Sequence, residues 1–181
     1  MSAPRLVERP DGAALFLRPA GPVTQQGFLA DAHRLAARLP SVDHVLNLCR
    51  DRYAFVVAFA AALIRGQVCL LCGDSSAPML AALRRDYPDW VAIVDEAAAD
   101  PPPFPTICND PTGAPGNAFV PAIPAGRQAA IVFTSGSTGV PTAHRKSWGA
   151  LVARSRAAGQ RFGLQETDPV SVVGTVPPGH M

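Results

Sequence analysis

Charge is scarce in this chain. Of its 181 residues, 16 are Lys or Arg and 14 are Asp or Glu, leaving a net charge of +2. No block of cations interleaved with aromatics occurs, so the electrostatic footprint of a nucleic-acid-binding module is missing. The opening MSAPRLVERPDGAALFLRPAG has no signal-peptide core either, because Pro4, Glu8 and Pro10 fall where an apolar run is needed. That predicts a cytoplasmic protein. The most apolar segment, Tyr53 to Ile64, is bounded by Asp51, Arg52 and Arg65. At about 1.5 Å per residue it falls well short of the roughly 30 Å of a bilayer core, so a buried helix is expected and no membrane span.

Cysteine is also sparse. Cys49, Cys69, Cys72 and Cys108 include one C-x-x-C, a spacing that redox and zinc sites share. The pair lies in QVCLLCG, which reads as a short buried strand, and strand positions three apart point to opposite faces. No second close pair completes a metal site. Plain core cysteines are expected.

What the chain does have is alternation. The hydrophobic fraction of 48% is ordinary for a folded domain, and the length suits one. AALFLR (Ala13 to Arg18) predicts a strand, followed by a helix from about Thr24 that ends before Pro40. On that helix Phe28, Ala32, Leu35, Ala36 and Leu39 share one face. HVLNLC predicts a strand over 44–49, and Asp51 caps a helix that Arg65 and Gly66 close. QVCLLC is a third strand, Ser75 or Ser76 opens a helix running to about Tyr87, and WVAIVD is a fourth strand over 90–95. Continuously apolar strands separated by helices imply an α/β fold: a doubly wound, mostly parallel sheet with helices on both faces. Such sheets bind ligands beyond the carboxyl ends of their strands.

The next stretch breaks the pattern. Ala99 to Gly126 holds eight prolines and three glycines and predicts an irregular connection. The chain thus divides into a βαβ-type segment (1–98), a Pro-rich connection (99–127) and a final segment (128–181). In the last, AAIVFT (129–134) predicts a strand, Thr142 to Arg145 a short extension, and Ser147 the N-cap of a helix to about Phe162. Trp148, Leu151, Val152, Ser155 and Phe162 mark that helix's inner face, and VSVVGTV (170–176) predicts a last strand before PPGHM.

Between strand and extension lies TSGSTG, residues Thr134, Ser135, Gly136, Ser137, Thr138 and Gly139. The glycines permit close backbone approach and the hydroxyls add donors, a combination suited to an anion-binding concavity. Read alone, the stretch also suits a flexible turn. It is not the P-loop of nucleotide triphosphatases, which needs G-x-x-x-x-G-K-[ST] running straight into a helix. His33 and His44 read as structural or solvated, and His144, although near the loop, reads as solvated in preference to a functional contact.

The order strand, T-S-G-S-T-G-x-P, short extension, helix resembles the phosphate loop of adenylate-forming enzymes: acyl-CoA synthetases, aryl-acid ligases and peptide-synthetase adenylation domains. NLCRDRYAFVVAFAAALIRGQVCLL is similar to that family's strand, apolar helix and strand, and VPPGHM to its P-x-x-H strand end. The resemblance covers most of the chain. It implies the N-terminal part of an AMP-binding domain that uses ATP and Mg2+ to activate a carboxylic acid as acyl-adenylate. Transfer to a thiol, of CoA or of an acyl carrier protein's pantetheine, would follow. It further implies that residues 134–139 hold phosphate and that His180 borders the carboxylate pocket. Two departures stand out. Thr142 occupies the position where the family has Lys; either Arg145 or Lys146 supplies the cation instead, or the charge is dispensable. The adenine, ribose and magnesium elements and the assisting lysine would lie beyond Met181, so the 181-residue chain is expected to be inactive alone. The competing expectation is a non-catalytic nucleotide- or partner-binding α/β module complete at this length.

Overall fold

Capping chemistry sets the helix boundaries. The computed structural model describes residues 3–10, 12–73, 75–96, 103–134, 142–164 and 170–174. A hairpin of β1 (Ala14–Arg18) and β2 (Gly21–Thr24) leads into α1 (Gln25–Arg38). The Thr24 hydroxyl caps α1 by accepting the Gly27 amide at 3.2 Å. Next come β3 (His44–Asn47) and α2 (Arg52–Arg65), which Asp51 caps by accepting the Ala54 amide at 2.9 Å. Gly66 closes α2 in the left-handed region at φ 76°, its N–H reaching the carbonyls of Ala62 and Leu63. Then follow β4 (Val68–Cys72), α3 (Ala77–Asp86), β5 (Trp90–Val94) and β6 (Thr106–Cys108). The C-terminal elements are β7 (Gln128–Thr134), β8 (Thr142–Ser147) and α4 (Trp148–Arg161).

Six strands form one sheet in the order β6-β5-β3-β4-β7-β8. Every pairing is parallel except β7 with β8, which is antiparallel. Alternate residues feed two cores. Val45, Cys69, Leu71, Val91 and Ile93 pack under α1 and α2, while Leu46, Leu70, Ala92 and Ile131 pack on the opposite face against Met79 and Leu83 of α3. The five alanines of α2, at 54, 58, 60, 61 and 62, are all buried, which lets α2 approach the sheet and α1 closely. Trp148 anchors the start of α4 against Leu63, Ile123 and Ala129. The sheet therefore carries helices on both faces, as the alternation implied. Among the described residues no helix is long and apolar enough to cross a membrane.

The Pro-rich connection is held down rather than loose. Asp31, 3% exposed, accepts hydrogen bonds from the Tyr53 hydroxyl at 2.5 Å and the amides of Gly113 at 2.7 Å and Thr112 at 3.3 Å, and it pairs with Arg34. Burial first, then Asp31 itself, pushes the Tyr53 phenol well above its ordinary pKa. Gly27 makes this approach possible, because a Cβ there would stand 2.2 Å from the Gly113 carbonyl oxygen.

Several expectations need correction. The 14–18 strand pairs only with β2, outside the main sheet. A three-residue strand, β6, lies within the connection and forms an edge beside β5. Residues 170–174 are not a strand: among the described residues none pairs with them, and Val172 and Val173 are 85% and 84% exposed. Phe162 falls past the end of α4, at its C-cap, and is exposed, as is Ser155, so neither belongs to the helix's inner face.

The C-x-x-C pair behaves as strand geometry requires. Cys69 and Cys72 are both buried, one in each core. Burial raises the Cys69 thiol's pKa, as it does that of Cys49, which is pushed up to about 12.

Candidate functional site

Two places at the carboxyl edge of the sheet qualify by topology. Strand order reverses between β3 and β5: the connection from β3 runs to β4, and that from β5 runs away to β6. A crevice is expected at such a reversal. Here it is bridged by the chain's own hydrogen bonds. The Leu48 amide reaches the Ile93 carbonyl at 2.9 Å, and the Asp95 carboxylate accepts the amides of Arg50 at 2.7 Å and Asp51 at 2.5 Å. The Asn47 side chain donates to the Phe55 carbonyl at 2.9 Å and accepts the Cys49 amide at 3.2 Å. Asn109 donates from its side chain to Ala54 O at 2.9 Å and from its backbone to Val94 O at 2.7 Å. These polar groups are satisfied by the protein itself.

The second place is the open end of the β7–β8 hairpin. Thr134 closes β7 and pairs with Thr142, the first residue of β8, so the TSGSTG stretch begins on the hairpin. Ser135, Gly136, Ser137, Thr138 and Gly139 lie outside the described residues, as does His180. Thr134 is half-buried, and Thr142, Ala143, His144 and Arg145 are exposed.

Directly opposed residues of an antiparallel pair share a face. Thr134 with Thr142, Val132 with His144, and Ala130 with Lys146 therefore lie on the α2 side, where Ala130 and Val132 pack. Phe133 with Ala143 and Ile131 with Arg145 lie on the α3 side. The imidazole Nε2 of His144 stands 3.3 Å from the Thr134 hydroxyl, within hydrogen-bond reach. Arg145 is turned to the other face, where its guanidinium donates to Gln128 Oε1 at 3.0 Å. Of the two cations expected to replace the missing lysine, only Lys146, the chain's single lysine, shares the face of Thr134. Simple alternation along the 142–147 extension carries this information once the antiparallel pairing is known; the sequence reading lacked that pairing.

The chain's small net charge conceals a division. Between Asp110 and Glu166 there is no Asp or Glu, while Arg127, Arg145, Lys146, Arg154, Arg156 and Arg161 lie in that span. The hairpin thus belongs to a wholly cationic stretch, and exposed hydroxyl and imidazole donors there suit an anion.

Comparison with known proteins bears on the fold. No family model matches the chain, and no curated protein does. Solved structures do. o-Succinylbenzoate CoA synthetase (MenE) from Bacillus subtilis, in complex with its acyl-adenylate intermediate, superposes with a TM-score of 0.64 at 20% identity over 84% of this chain and 43% of that one. A malonyl-CoA ligase with methylmalonyl-CoA and AMP bound gives 0.69 at 22% identity, over 88% and 34%. ATP-bound MatB from Rhodopseudomonas palustris gives 0.63 at 18%, over 83% and 35%. The chain has the fold of the N-terminal portion of adenylate-forming ligases. It spans 34–43% of the length of these three structures, well under the whole of any of them.

Proposed function

We propose that the chain is the N-terminal part of an ATP-dependent acid–thiol ligase. Such an enzyme joins a carboxylic acid to ATP as acyl-adenylate with release of pyrophosphate, then passes the acyl group to CoA or to a carrier protein's pantetheine. One observation carries the reading: the hydroxyl- and glycine-rich stretch starts at the end of an antiparallel hairpin on a ligase-like sheet, with hydroxyl and imidazole donors on that end and no acid in its own segment from 111 to 165.

In this reading Thr134, Ser135, Gly136, Ser137, Thr138 and Gly139 hold the phosphates of ATP. Each hydrogen bond to a charged oxygen contributes roughly 1.5–3 kcal/mol, so a few of them fix the polyphosphate and expose the α-phosphorus to in-line attack by the carboxylate. His180 borders the carboxylate pocket. Mg2+ accompanies the triphosphate and is assigned no ligand here, since the described residues contain no group of three His, Cys, Asp or Glu placed for a metal. The cytoplasm, where ATP and CoA are available, is the proposed location.

The test is acid-dependent exchange of labelled pyrophosphate into ATP by the gene product as the cell makes it, with a panel of fatty, aromatic and dicarboxylic acids. Exchange with at least one acid is expected, abolished by Gly136→Val with the melting temperature preserved. The 181-residue chain alone should show none. Absence of exchange with every acid, or full activity in Gly136→Val, overturns the reading.

A further inference from the structure

We infer that His144 is the polyphosphate-positioning side chain of this hairpin, taking the part of a cation that the chain does not place at position 142. The inference rests on the reading of the site as an ATP site and adds to it the group that holds the phosphates from the β8 side.

The argument is one of reach and face. Thr134 and Thr142 are paired at the open end of the hairpin, so an anion held there meets both hydroxyls. Side chains on the same face of β8 recur every second residue, at about 7 Å intervals. His144 is one such step from Thr142, and Lys146 is two steps away, opposite Ala130. Arg145, although nearer in sequence than Lys146, is on the opposite face and engaged with Gln128. His144 alone among these three is brought to the loop's own residue, 3.3 Å from the Thr134 hydroxyl. Among the described residues this is its one polar partner, and the side chain is exposed.

An imidazole in that position does two jobs. With Nε2–H donating to the Thr134 oxygen, the hydroxyl proton stays free for a phosphate oxygen, and in the imidazolium form Nδ1–H is a second donor to the anion. The absence of any acid between Asp110 and Glu166 leaves that face without a competing carboxylate from its own segment.

Calorimetric titration of the gene product as the cell makes it, with inorganic tripolyphosphate and with ATP, tests the inference. The variants are His144→Ala, His144→Ala with Thr142→Lys, and Arg145→Ala. Loss of one charge-assisted hydrogen bond corresponds to about tenfold or more in affinity. His144→Ala is therefore expected to weaken both ligands by about tenfold without changing the melting temperature, and Thr142→Lys to restore most of that loss. Arg145→Ala should bind as the wild type does. Unchanged affinity in His144→Ala overturns the inference while leaving the ATP site standing. Equal loss in Arg145→Ala also overturns it, because the attraction would then be a diffuse property of the basic surface. A wild-type chain that binds neither ligand overturns both the inference and the site beneath it.

Discussion

The two ends of the sheet's carboxyl edge use polar residues in opposite ways. At the β3/β5 reversal Asn47 and Asn109 are each 3% exposed, and with Asp95 they are matched donor for acceptor with the surrounding backbone. At the β7/β8 end Thr142 and His144 are exposed and Thr134 is half-buried, and among the described residues the three contribute one side-chain hydrogen bond between them. A buried polar group must find a partner within the protein or destabilise it, whereas an exposed group loses nothing by waiting for a ligand. The topological rule that places ligands at a strand reversal thus names the closed end here. Donor availability and the cationic segment support the open one, as the proposed function has it.

The contrast can be broken first at the closed end. Asn47→Leu removes a donor to the Phe55 carbonyl and an acceptor from the Cys49 amide, leaving buried backbone groups unpaired. A loss of about 2–3 kcal/mol is expected in urea unfolding, with tripolyphosphate affinity unchanged under conditions where the variant is folded. At the open end the effects should be reversed. Thr134→Val should alter stability by no more than about 0.5 kcal/mol yet weaken ATP binding by roughly tenfold in a titration. A third, smaller effect is expected of Thr142→Lys in the otherwise native chain. It adds an exposed, solvent-screened cation where His144 already supplies a donor, so affinity for ATP should rise by only about two- to threefold.

A further effect, confined to alkaline pH, concerns the closed end. Burial, reinforced by the neighbouring Asp95 carboxylate, raises the Cys49 thiol from 9.0 to about 12. A raised folded-state pKa gives stability that is fully present below the unfolded value and lost as pH climbs through the folded one. Cys49 should therefore contribute no change in stability up to pH 9 and a progressive loss from there towards pH 12. Denaturant midpoints measured across that range, for wild type against Cys49→Ala, isolate this contribution. In native chain at mildly alkaline pH, a thiol reagent should label exposed Cys108 and spare Cys49 and Cys69, which a mass map will show.

The sequence made legible whatever is encoded locally. The α2 boundaries were readable because Asp51, Arg65 and Gly66 act on their own helix ends. The buried stripe of α1 was readable because Phe28, Ala32, Leu35, Ala36 and Leu39 recur at helical spacing, and all five are buried. Partnerships were not readable. ALFLR has strand character, but nothing within it says that its partner is GPVT rather than the main sheet. TIC is only three residues among prolines, and pairing with β5 is what makes it a strand. VSVVG has the composition of a strand and, among the described residues, no strand beside it. The same limit applied to the site. That TSGSTG suits an anion could be read from its glycines and hydroxyls, but Ser135 to Gly139 lie outside the described residues. The facing of His144 towards Thr134, and of Arg145 away, depends on an antiparallel register that spacing alone does not reveal.

The most direct measurement is an amide NMR titration of the isotopically labelled gene product, as the cell makes it, with ATP. The account predicts saturable shifts at Thr134, Thr142 and His144, with the amides of Arg50, Asp51 and Asn109 left in place. Saturable shifts confined to Arg50, Asp51 and Asn109, with the hairpin end unmoved, would contradict it.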